Sequence, residues 1–175
     1  QFIPVGASPL PGSSGSYLEH VYPGIKADLA SRTNHLEIGR VALAERFQRQ
    51  PHSLMALFRG GLLIAARSGY QLLHGLVSYN HFAHSDAVNT AFLSALLRPP
   101  YRRLDTPLPA PRHPVPGLKP DNTPHSSGHI QALEQEIRQT LSKDFRLPVL
   151  LRQYVGLMQG EGCDLALALD FNHIT

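Results

Sequence analysis

Leu36-Glu37-Ile38-Gly39-Arg40-Val41-Ala42-Leu43 is the run whose reading decides the fold. Leu36, Ile38, Val41 and Leu43 are strand formers, and the run is apolar on both faces except at Glu37, Gly39 and Arg40. A strand of that kind belongs in a sheet covered on both sides. A polar loop follows from Glu45 to His52, and then a segment, Ser53 to Ser68, in which Leu54, Leu57, Phe58, Leu62 and Ala65 recur at helical spacing. Pro51 suits the first turn of that helix. Within Gln71 to Tyr79, the residues Leu72, Leu73, Gly75, Leu76 and Val77 predict a second buried strand. Strand, helix and strand make a βαβ unit, so the two strands are expected to be parallel with a right-handed crossover. Gly60-Gly61 in mid-helix costs about 1 kcal/mol each against alanine. Close approach of the helix to the sheet or to a ligand is the expected compensation.

Towards the start, Gln1 to Gly6 reads as a strand and the Pro-, Gly- and Ser-rich Ala7 to Ser16 as a loop. Tyr17 to Leu29, with a turn at Pro23-Gly24, reads as a short helix or irregular segment ending near Ala30. In the other direction, Ser85 caps a second helix, Asp86 to Leu97, with Asp86 favourable in its first turn. Arg98-Pro99-Pro100 ends it. Pro99 to Pro124 is dense in proline and is expected to be an extended surface loop, long enough to suggest function or mobility. Ser127 is expected to cap a helix in which Ile130, Leu133, Ile137 and Leu141 share one face. Pro148 opens another, carrying Leu150, Leu151, Tyr154, Val155 and Met158, and Gly160 stops it. Asp164 to Ile174 reads as a last strand. There is no internal repeat, and the 175 residues suit a single domain.

Composition narrows the function. The apolar fraction of 42% is that of a globular chain, and the formal charge of +3 is not gathered into one basic run. That charge suits an acidic partner or an anionic cofactor and makes no case for nucleic acid. Cys163 stands alone, which excludes a disulfide framework within the sequence and points to a reducing compartment. The 10 histidines include His81 and His84, the nearest approach to a metal spacing, yet no motif assigns a metal. No apolar run reaches the roughly 18 residues of a membrane span and no signal-peptide pattern opens the sequence. The expectation is a soluble cytoplasmic chain, at most peripheral at the inner membrane.

Glu37 and Arg40, three apart on a strand, point to opposite faces unless a bulge near Gly39 re-aims one. Either Glu37 is a general base or amine anchor and Arg40 a ligand for phosphate or a carbonyl oxygen, or both are structural charges satisfied by neighbouring loops. Arg46 and Arg49 precede the helix beginning near Ser53, where free backbone N–H groups favour an anion; a solvated basic turn is the alternative. Ser78 and Asn80 follow the second strand at its carboxyl end, where open α/β sheets bind ligands, and they are equally ordinary loop residues. Asp170 and Asn172 read as a site or as a turn. Nothing resembles a nucleophile elbow.

Taken in order, Leu36-Glu37-Ile38-Gly39-Arg40, Leu57-Phe58-Arg59-Gly60, Leu73-His74-Gly75-Leu76-Val77-Ser78, Ser85-Asp86-Ala87, Leu147-Pro148-Val149-Leu150-Leu151-Arg152-Gln153-Tyr154 and Asp170-Phe171-Asn172 carry a likeness over nearly the whole chain. The pattern resembles the GNAT-type N-acyltransferases of the ornithine-lipid synthase group. It is most similar to the hemolysin-like version often fused to a lysophospholipid acyltransferase domain. The Glu-x-x-Arg strand is also similar to that of acyl-homoserine lactone synthases. The resemblance implies an α/β fold with a GNAT-like mixed sheet flanked by helices, splayed so that the donor's pantetheine arm enters between the strands. It implies direct transfer of a fatty acyl group from a thioester to an amine such as ornithine, in lipid synthesis. Glu37 would assist the amine, Arg40, Arg46, Arg49, Ser53, Ser78 and Asn80 would serve the donor, and Asp170 and Asn172 would lie near the acceptor. No permanently bound cofactor is implied; the donor is acyl-ACP or acyl-CoA. The loop after the first strand lacks the glycine pattern of acetyl-CoA users, which favours acyl carrier protein, and a basic rim of Arg46, Arg49, Arg102 and Arg103 suits that acidic partner. The family's first strands are not found before Gln1 and its last strand should run past Thr175, so an internal fragment or a shortened relative is expected. Two other classes remain open: a catalytically silent carrier- or lipid-binding module, and an interaction scaffold working through the Pro-rich Pro99–Pro124 segment.

Overall fold

The computed structural model describes residues 2–4, 17–32, 34–39, 42–50, 52–103 and 110–157. Expectations that fall on Ala7 to Ser16, Arg40, Pro51, Cys163, Gly160 and the strand from Asp164 to Ile174 lie outside these residues. The fold is mixed α/β, and the chain divides into two compact units, Gln1–Leu76 and Val77–Thr175.

In the first unit the strands β1 (Phe2–Pro4), β2 (His35–Ile38) and β3 (Leu72–Gly75) form a sheet in the order β1-β2-β3. The expected opening strand therefore has a partner: β1 runs antiparallel to β2, with Ile3 opposite Glu37. β2 and β3 are parallel, as the βαβ reading expects, with His35 beside Leu72 and Glu37 beside His74. Both strands are shorter than the periodicity suggests, and the ladder ends at Ile38 and Gly75. At that end the backbones approach so closely that a Cβ on Gly75 would overlap the carbonyl oxygen of Ile38, which is why glycine stands there. β3, expected to be buried, lies at the edge of the sheet that the described residues form, and its residues are half-buried to exposed.

Before β2 come α1 (Tyr17–Val21) and α2 (Ile25–Arg32), separated by the expected Pro23-Gly24 turn, in which Gly24 takes φ 87°. Leu18, Val21, Tyr22, Ile25 and Leu29 are buried, one apolar face carried through both helices. The Glu19 carboxylate accepts the N–H groups of Gly24 and Lys26 at 2.8 and 3.0 Å, satisfying donors that the start of α2 leaves free. The expected polar loop contains a helical turn, α3 (Glu45–Gln48). α4 (Ser53–Arg67) matches its predicted span but turns inward along Phe58, Gly61 and Ala65, leaving Leu57 exposed. It closes in a Schellman motif: Gly69 has φ 76°, its N–H meets Ala66 O, and Tyr70 N–H reaches Ala65 O at 3.1 Å. Gly60 shows no close approach, since a Cβ there meets nothing within 4 Å.

The second unit is helical. A 3-10 turn at His81–Ala83 leads into α5 (Asp86–Leu96), α6 (Ile130–Thr140) and α7 (Val149–Leu157). Ser85 caps α5 as expected, accepting from Val88 N–H at 3.5 Å. Ser127 does not cap α6. The N-cap is His129, with no side-chain cap bond, and the Ser127 hydroxyl donates instead to Glu136 Oε2 at 2.6 Å. Ile130, Leu133 and Ile137 share the predicted buried face, whereas Leu141 lies past the helix end and is exposed. They pack with Val88, Phe92, Phe145, Leu147 and Leu151 into one core. The described parts of the Pro-rich segment hold no strand. They are tied to the end of α5 through Asp121 N–H to Leu97 O, His125 N–H to Pro99 O, and an Arg98–Asp121 ion pair of 2.7 Å.

Candidate functional site

Residues two apart on a strand share a face, so His35 and Glu37 project from the same side of β2. In the parallel register His74 is the neighbour of Glu37 on β3. The sheet thereby gathers three ionisable side chains that are distant in sequence. His35 is 2% exposed and Glu37 8%. His35 Nδ1 and His74 Nε2 lie 2.8 Å apart, with ring centroids at 4.9 Å and planes inclined by 41°. A contact that short needs one shared proton, because two N–H groups or two lone pairs facing each other would repel.

The outer atoms of the cluster are unserved. Among the described residues, His35 Nε2, His74 Nδ1 and Glu37 Oε2 are buried with no hydrogen-bond partner. Buried polar atoms of this kind are rare, and each costs about 1–3 kcal/mol. Burial holds the His74 imidazole well below its usual range, to about 4, with His35 and the Lys26 cation from α2 acting in the same direction. His35 is lowered as well, by burial first and then by Lys26, while the Glu37 carboxylate pulls the other way. At neutral pH the pair is thus two uncharged imidazoles beside a buried carboxylate and an ammonium group. Such a set can accept a proton, orient an amine and pass a hydrogen between partners.

The other expected site residues divide sharply. Arg40, Asp170 and Asn172 lie outside the described residues. Arg46 and Arg49 are exposed at the end of α3, with the Arg46 guanidinium 4.8 Å from the Phe47 ring centre. Ser53 opens α4, and its hydroxyl donates to Gln50 Oε1 at 3.3 Å. Ser78 and Asn80 belong to the second unit, beyond the end of β3. Asn80 has a structural task there: its Oδ1 accepts from Phe82 N–H at 3.2 Å and caps the 3-10 turn. His84 stacks on Tyr79, with centroids 5.8 Å apart, and also meets Phe145. Among the described residues, no group of three or more His, Cys, Asp or Glu side chains is placed to hold a metal ion. Within the second unit a groove of about 310 Å³ runs past Arg98, His125 and Glu136. Asp121 already engages Arg98, and Ser127 already engages Glu136.

His35, His74 and Lys26 are the members of this cluster that pattern reading does not single out. A signal for the first two exists, since His35-x-Glu37 marks one face of a strand and His74 stands on the next strand of the same βαβ unit. Comparison with protein-family models, with curated proteins and with solved structures yields no match. Among the described residues no helix is long and apolar enough to cross a membrane.

Proposed function

We propose that this chain is an N-acyltransferase that moves a fatty acyl group from acyl carrier protein, or from acyl-CoA, to an amine such as ornithine. The observation that carries the reading is Glu37: a carboxylate 8% exposed on the central strand, with Oε2 unpartnered beside two neutral imidazoles. A GNAT-like sheet is part of the proposal, supported by the parallel β2–β3 pair with α4 between them in sequence. In this mechanism Glu37 takes a proton from the ammonium form of the acceptor. The freed nitrogen lone pair attacks the thioester carbonyl carbon. The C–N bond forms as the C–S bond breaks, and the second proton lost from nitrogen neutralises the departing thiolate. No protein nucleophile is required; orientation and proton transfer supply the rate. Arg46 and Arg49, exposed and cationic, suit steering of an acidic carrier protein.

Native mass spectrometry of the purified chain with acyl carrier protein bearing a C16 chain tests this, with and without ornithine. The acyl group should leave the carrier only when the amine is present. Glu37→Gln, folded by circular dichroism, should slow the transfer by about 10²-fold or more. A wild-type chain that binds carrier and leaves it acylated in the presence of amine would overturn the transferase reading. Full activity in Glu37→Gln would overturn the role of that carboxylate alone.

A further inference from the structure

We infer that His35 and His74 form a proton-relay pair, which passes a proton across the sheet face on which Glu37 stands. The inference begins with tautomers. If His35 Nδ1–H donates across the 2.8 Å contact, His35 Nε2 is a bare acceptor and the neutral His74 ring carries its hydrogen on Nδ1. If His74 Nε2–H donates, the outer atoms exchange these roles. The pair therefore always shows one donor and one acceptor outward, and the state of one ring dictates that of the other.

A structural histidine is normally locked by the partner of its second nitrogen, a carbonyl or a carboxylate. Here both second nitrogens are buried without one among the described residues, so none of those residues selects between the two states. The exchange balances. A proton arrives at His35 Nε2, the bridging hydrogen moves from His35 Nδ1 to His74 Nε2, and the hydrogen on His74 Nδ1 leaves. One proton enters, one departs, and the pair ends neutral. Neutrality is favoured by burial and by Lys26 from α2, which opposes an imidazolium on either ring; Glu37 from β2 pulls the other way, on His35 only. A concerted shift avoids the charged intermediate that burial and Lys26 disfavour. Service of this relay to Glu37 rests on the acyl-transfer reading; the exchange itself does not.

Long-range 1H–15N correlation spectra of the full chain labelled with [15N]histidine, at pH 7, read the tautomers directly. All four ring nitrogens of His35 and His74 should show shifts averaged between the protonated and bare values. In His74→Gln the amide cannot take up and release a ring proton as an imidazole does, so the His35 nitrogens should lose the averaging seen in wild type. Wild-type rings frozen in one arrangement, or an imidazolium at pH 7, would overturn the inference. Lys26→Met leaves both rings in place should His74→Gln not fold, and the pair should then take up a proton at higher pH than in wild type. A titration unmoved by that change would overturn the charge argument. None of these readouts needs turnover, so they are separable from the fate of the transferase proposal.

Discussion

Glu37 in the first unit and Glu134 in the second are each 8% exposed, yet their surroundings are opposite. Glu134 is held by Arg152, whose Nη2 donates to both carboxylate oxygens at 3.0 and 2.8 Å. Glu37 keeps an oxygen with no partner among the described residues and sits beside two more nitrogens in the same condition. The second unit does contain orphans among its described residues, Nε of Arg98 and of Arg152, but each belongs to a guanidinium whose Nη2 is engaged by a carboxylate. Several other polar groups there have partners too. Tyr79 donates to Asn89, Asn89 donates to the carbonyls of His81 and His84, and Tyr101 donates to Ser127 O at 2.7 Å. Equal burial therefore carries different meanings. Where partners are supplied, a buried charge is scaffold; where they are withheld on one face of a sheet, a site is the better account.

The comparison breaks first in the second unit if its packing is less demanding than its geometry suggests. Phe145 is fully buried against Phe92, with ring centroids 5.3 Å apart and planes tilted by 59°. Phe145→Ala should destabilise the helical unit by about 3–5 kcal/mol, the range for large-to-small changes in close-packed cores. Urea unfolding followed by amide exchange in α5 and α6 measures it. A loss under about 1 kcal/mol would mean that the core collapses around the gap, and that the second unit is not the rigid member of the pair.

The first unit should instead be sensitive to acid. His74 titrates near 4 when folded against about 6.5 when unfolded, and His35 shifts in the same direction. Between those values the unfolded chain binds more protons than the folded one, so stability falls as pH drops. The contribution is fully present above about 6.5 and is lost as pH falls through about 4. Thermal melts of the β2–β3 amides across that window should show the loss, and His74→Gln should make the slope shallower. An unchanged slope would assign the acid response to groups other than the pair.

How much of this was legible in sequence follows from the range of the interactions. Periodicity placed α4 and cap chemistry placed the start of α5 at Ser85, both from neighbours a few residues apart, and the strand–helix–strand order gave the parallel pairing of β2 with β3. Strand length was not legible, since β2 runs only as far as its ladder with β3, and composition beyond Ile38 does not report a partner's extent. Ser127 was misassigned for a related reason. Its hydroxyl is claimed by Glu136, nine residues on, in place of the N–H groups at the start of α6. The His35–His74 contact spans 39 residues and exists only once the register is set. Glu37 stood out as a charge inside an apolar strand, while the histidines that qualify its chemistry did not.

Gly60 offers the smallest and sharpest test, because it separates cost from function inside the unit that carries the candidate site. The two mid-helix glycines of α4 invite the idea that both were kept for close approach, yet their settings differ. Gly61 is buried, while Gly60 is exposed and a Cβ placed on it meets nothing within 4 Å. Its backbone is helical, so alanine fits without strain and removes freedom from the unfolded chain. Gly60→Ala should therefore stabilise the first unit by about 1 kcal/mol, read as a higher urea midpoint with an unchanged slope. A neutral or destabilising outcome would mean that α4 is not helical at this point under working conditions, or that something approaches Gly60 in the functioning protein. In the latter case the exposed side of α4, together with the buried carboxylate, would belong to what the first unit is built to do.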